Sequence, residues 1–97
     1  MINKKNNRYG IILNEVELKD GTQANKSLEF EFENHDNILS LIEKVQQKGL
    51  FNEKDKNIQF VLGLKLFSEV LLEQRDNPLF EGFLPAFREL MRKLKEK

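Results

Sequence analysis

Nine consecutive residues, Leu28-Glu29-Phe30-Glu31-Phe32-Glu33-Asn34-His35-Asp36, constrain this chain more than any other stretch. Leu28, Phe30 and Phe32 alternate with Glu29, Glu31 and Glu33, so a strand here has one apolar and one acidic face. Asn34 follows with a side-chain oxygen suited to the free N–H groups of a first helical turn. Asp36 adds negative charge where a helix dipole favours it. A strand that runs directly into a helix start commits the chain to an α+β organisation. It commits the chain to no particular chemistry.

The flanking segments extend that frame. Residues 1–7 are polar and aperiodic and are expected to fray. A first strand is expected over Arg8–Leu18, where Tyr9, Ile11 and Leu13 share one parity and Val16 and Leu18 the other. A bulge near Asn14-Glu15 would return all five to one face; without it, apolar surface is left to be covered. The polar run 19–26, with its Asp20-Gly21 signal, reads as a long hairpin loop before a strand over Ser27–Glu33. The periodicity then predicts a helix from about His35 to Lys48, with Ile38, Leu39, Ile42 and Val45 inward and Gly49 as its left-handed stop. A second helix starts near Asn52 or Asp55 and is apolar on nearly every side from Ile58 to Leu72. That pattern predicts burial, with Leu62, Leu66, Phe67 and Val70 inside and a close-packed neighbour at Gly63. Asn77-Pro78 ends this helix, a short turn occupies 78–83, and Pro85 opens a last helix over 85–96.

Composition narrows the function classes. Ninety-seven residues suffice for a single domain with one core. With no cysteine, disulfides, a cysteine zinc site and a thiol nucleophile are excluded, and one histidine excludes the usual multi-histidine metal clusters. Sixteen basic residues balance sixteen acidic ones, and only four of the cations are arginine. A nucleic-acid binder should show a basic excess. No apolar run approaches the roughly 20 residues a membrane span needs. The expectation is therefore a cytoplasmic protein with no nucleic-acid, membrane or cofactor partner. Zero net charge leaves little repulsion between copies.

Several of these segments together resemble a family of short bacterial proteins known only as a domain of unknown function. The likeness is carried by Arg8-Tyr9, by Glu33-Asn34-His35-Asp36 and by Gly63-Leu64-Lys65-Leu66-Phe67-Ser68-Glu69-Val70. It continues in Asn77-Pro78-Leu79-Phe80 and Pro85-Ala86-Phe87-Arg88-Glu89. It spans about residues 8–95 and does not reach residues 1–7 or the loop 19–26. The resemblance implies a compact ββααα domain of bacterial origin and no activity, substrate or catalytic residue.

Three residues are the candidate binding positions. Lys65 and Glu69 stand four apart on the second helix, in the most apolar stretch of the chain, where burial could turn an ion pair into an acid–base pair. The ordinary alternative is a lysine stem lying on apolar surface with its ammonium meeting Glu69 at the rim. His35 is the lone imidazole and a conceivable general base, but no nucleophile accompanies it. The row Glu29, Glu31, Glu33 offers oxygen ligands, yet a flat strand does not wrap an ion. The fold expected is α+β, an antiparallel β-hairpin followed by three helices packed on one face. The function expected is non-enzymatic protein–protein association through a homodimer or a protein partner. The alternative is a small-molecule-binding domain or small enzyme with a pocket near Lys65, Glu69 and His35.

Overall fold

Eight-residue strands β1 (Asn7–Asn14) and β2 (Ser27–Asn34) pair antiparallel, as seen in a computed structural model that describes residues 5–96. The helices follow in order: α1 (Ile38–Lys48), α2 (Lys54–Glu73), a 3₁₀ turn at Pro78–Phe80, and α3 (Leu84–Lys95). The chain is α+β, a hairpin followed by three helices. It divides into two compact units, a hairpin unit ending at Asp36 and a helical unit beginning at Asn37. The expected fraying of residues 1–7 falls, for residues 1–4, outside the described residues. Asn7 already belongs to β1, and its Nδ2 donates to the Asp36 carbonyl.

The hairpin register is regular. Tyr9 faces Phe32, Ile11 faces Phe30 and Leu13 faces Leu28, so these six side chains share one side, while Ile12, opposite Glu29, lies exposed on the other. Tyr9 and Phe32 lie 5.5 Å apart between ring centres, and the Tyr9 hydroxyl donates to the Asp36 carbonyl. The other side carries Arg8 and the three glutamates, with Arg8 hydrogen-bonded to Glu31.

Of the two alternatives for the first strand, the structure shows the one without a bulge near Asn14-Glu15, because the ladder ends there. The Glu15 carboxylate accepts the backbone N–H groups of Asn25 and Lys26, taking the place of a strand partner, while Glu15 N–H donates to the Lys26 carbonyl. Val16 then lies in the loop at 90% exposure and shares no face with Tyr9, Ile11 and Leu13. The loop closes through Gly21 N–H to the Leu18 carbonyl and an Asp20–Thr22 turn.

Asn37, not Asn34, caps α1. The Asn37 side chain accepts from Ser40 N–H, and the helix begins with the first residue of its apolar stripe. Asn34 is instead buried with its Oδ1 accepting Asp36 N–H, so Asp36 and His35 precede the helix and lie outside its first turn. Gly49 ends α1 as expected: at φ 64° it occupies the left-handed region, its N–H reaches back to Val45 and Gln46, and Leu50 N–H also turns to Val45.

The helical unit corrects three packing expectations. Ile38 of α1 is buried, but Leu39 is exposed at 66%, since a helical step of about 100° separates neighbours. On α2 the inward face is Asn57, Val61, Leu64, Ser68 and Leu71, a run at intervals of three and four. Of that face Asn57, Val61 and Leu71 are buried and Leu64 and Ser68 half-buried; Leu62 and Leu66 are likewise half-buried, and Phe67 and Val70 are exposed at 41% and 51%. Phe67 joins an aromatic cluster with Phe80 and Phe83, which continues to the buried Phe87. A Cβ at Gly63 would meet no atom within 4 Å, so no close neighbour demands this glycine.

Candidate functional site

Asn57 organises the turn between α1 and α2. It is 2% exposed, and both its oxygen and its nitrogen are hydrogen-bonded. Its Oδ1 accepts Phe51 N–H at 2.9 Å, and its Nδ2 donates to Gln46 Oε1 at 2.9 Å and to the carbonyls of Phe51 and Glu53. Gln46 in turn donates from Nε2 to the Lys54 carbonyl, so both side chains fasten the end of α1 to the start of α2. Phe51 stacks edge-on against Phe60 with ring centres 5.4 Å apart. Sequence reasoning passed over Asn57, although its place four residues before Val61 on the inward stripe was a usable signal.

With the turn fixed, the three helices enclose a groove of about 490 Å³. Leu41 and Val45 of α1, Phe60, Val61 and Leu64 of α2, and Met91 and Leu94 of α3 supply apolar walls, and Leu50 closes one side. The polar side chains lining it are all lysines: Lys44, Lys48, Lys65 and Lys95. No carboxylate is among the described residues that line it. Such a site can hold an apolar body and favour an anion at its mouth.

The three expected site residues are distributed unequally. Lys65 is half-buried and lines the groove. Glu69 is half-buried one turn further along α2 and is not part of the lining. His35 belongs to the hairpin unit, with a side chain 70% exposed and its Nε2 3.5 Å from the Asp36 carboxylate. Of the acidic row on β2, Glu31 is engaged by Arg8. Among the described residues no three histidine, aspartate or glutamate side chains gather as a metal site.

The hairpin provides a second surface. Leu13 and its cross-strand partner Leu28 are exposed at 64% and 57%, and Phe30 beside them at 39%. Among the described residues each strand has one hydrogen-bonded neighbour, and neither outer edge has a strand partner.

A family model described as a domain of unknown function with a solved structure, DUF3861, matches residues 7–96. The chain belongs to this family. The span agrees with the resemblance drawn from Arg8-Tyr9 through Pro85-Ala86-Phe87-Arg88-Glu89. A protein of unknown function from Pectobacterium atrosepticum SCRI1043, known from a crystal structure at 2.20 Å resolution, is 37% identical. The two agree with a TM-score of 0.82 over 95% of this chain and 99% of that one, so they share one fold. No functionally curated protein matches the chain. Among the described residues no helix of this DUF3861 chain is long and apolar enough to cross a membrane.

Proposed function

We propose that this DUF3861 chain is a non-enzymatic protein-association domain whose hairpin face receives a second copy of itself. The observation that carries the reading is the apolar ladder Leu13–Leu28 and Ile11–Phe30, whose outer pair is more than half exposed. Contiguous exposed apolar surface of this kind marks association sites in soluble proteins. A two-stranded ribbon is marginal by itself and gains from a second layer at about 10 Å. One ladder laid on another about a two-fold axis presents the same residues from both sides. Zero net charge removes the repulsion that would oppose such pairing, and the acidic row of β2 stays in solvent on the far face.

Catalysis has less support. Within the helical unit, Lys65 lines the groove but Glu69 does not. A catalytic site needs several groups converging on one reacting atom.

Sedimentation equilibrium at tens of micromolar tests the reading. A mass of twice 11.5 kDa is expected, falling to 11.5 kDa for Leu13→Lys with an unchanged circular dichroism spectrum. Leu13 is exposed enough for the lysine to be tolerated by the monomer. A wild-type mass of 11.5 kDa at that concentration overturns self-association.

A further inference from the structure

We propose that the lysine-lined groove between the three helices binds a free fatty carboxylate, its alkyl chain in the apolar trough and its head at the lysines. The inference is independent of the hairpin reading, since every residue it uses belongs to the helical unit.

The first argument is shape. Small-molecule sites occupy roughly 300–1,000 Å³ and are mostly apolar with few polar groups at fixed places. The groove, at about 490 Å³, falls in that range, and its walls are aliphatic and aromatic side chains from three separate helices. Unbranched walls such as Met91 adapt to a flexible chain at low cost, because methionine has three rotatable bonds and a polarisable sulfur. The concave form suits one chain entering the protein. A bilayer surface would call for a convex apolar face.

The second argument is charge. The protein as a whole is neutral, with sixteen charges of each sign, yet the charged side chains that line the groove are all cationic. Lys44 and Lys48 stand one turn apart on α1, while Lys65 comes from α2 and Lys95 from α3. Lysine suits such a position in general, because its stem can cover apolar surface while its ammonium reaches the rim, and Lys44 and Lys95 are exposed there. A carboxylate there meets opposite charge from several directions. An uncharged or cationic head on the same chain does not.

The experiment is calorimetric titration of the full chain with laurate below its micelle concentration, with dodecyltrimethylammonium as the head-group control. Saturable one-to-one binding of laurate is expected, at least roughly tenfold tighter than that of the cationic control. The double variant Lys44→Glu/Lys95→Glu changes two exposed side chains and should weaken laurate roughly tenfold while leaving the melting temperature of the free protein nearly unchanged. Chemical shifts in the titration should move at Val61, Leu64 and Met91. Absence of laurate binding at millimolar concentration overturns the proposal, as does equal affinity for the two heads. Co-sedimentation with anionic phosphatidylglycerol vesicles in the absence of laurate binding also overturns it, in favour of a membrane surface. Each of these outcomes is distinguishable from the hairpin reading, because Leu13→Lys should leave laurate affinity unchanged.

Discussion

Replacing Asn57 with alanine should cost more stability than any surface change, although the residue is polar. The substitution removes a side chain that accepts one backbone N–H at 2.9 Å and donates to Gln46 Oε1 at 2.9 Å and to the Phe51 carbonyl at 3.1 Å. A fourth contact, to the Glu53 carbonyl at 3.3 Å, shares a hydrogen with one of these. Each such bond contributes a net ~0.5–1.5 kcal/mol, and a partner left unsatisfied in a part-buried turn adds its own desolvation cost. Alanine cannot refill the space, so the expected loss is about 2–4 kcal/mol, a large share of the ~5–15 kcal/mol available to a domain of this size. Urea unfolding followed by far-ultraviolet circular dichroism gives the number; the chain has no tryptophan for a fluorescence probe. Asn57→Asp separates the donor role. It keeps an oxygen for Phe51 N–H but sets its second oxygen against three acceptors, and should cost at least as much as alanine at neutral pH. A loss below about 0.5 kcal/mol for Asn57→Ala would refute the view that this side chain holds the α1–α2 turn.

Leu71→Ala, at a position with no exposed surface, should lose about 2–5 kcal/mol, whereas Val70→Ala beside it should lose at most about 1 kcal/mol; the reverse order in the same urea experiment would put the inward face of α2 elsewhere. Gly63→Ala should stabilise by roughly 0.5–1 kcal/mol, because a Cβ meets nothing there and alanine is the better helix former; destabilisation would show a packing demand on the glycine. The Glu89 carboxyl is held below the usual carboxylate range by its hydrogen bond to Arg92, so its contribution is present above the ordinary value and is lost as pH falls through the depressed one. Glu89→Gln should therefore lower the melting temperature at pH 7 and leave it unchanged in strong acid, and an equal effect at both pH values would contradict the pairing.

What the sequence revealed was periodicity, and what it concealed was phase. The alternation of Leu28, Phe30 and Phe32 located β2 because an apolar–acidic contrast at period two admits one reading. Gly49 located the end of α1 because a left-handed residue is needed there and glycine takes that conformation without strain. In α2 the contrast was missing. With apolar residues on every side, hydrophobicity alone could not choose between the face of Leu62, Leu66 and Val70 and the face of Val61, Leu64 and Leu71. The polar pair Asn57 and Ser68 falls on the buried side, and its value lies in hydrogen bonds that no hydropathy pattern displays. The end of β1 was hidden for a related reason: Glu15 reads as a surface residue, yet its carboxylate stops the ladder by taking N–H groups from the opposite chain segment. Of the candidate site, Lys65 was legible as a lysine in an apolar stretch. The groove was not, since Lys44, Lys95 and Met91 come from helices distant in sequence.

The central claim, that the hairpin's apolar face is the docking surface for a second copy, is tested most directly by isotope-filtered nuclear Overhauser spectroscopy on a mixture of labelled and unlabelled protein. The claim predicts intermolecular contacts from the methyl groups of Leu13 and Leu28 and the ring of Phe30. Intermolecular contacts arising only from helical-unit residues, or none at a concentration where the hydrodynamic mass is that of a single chain, would contradict it.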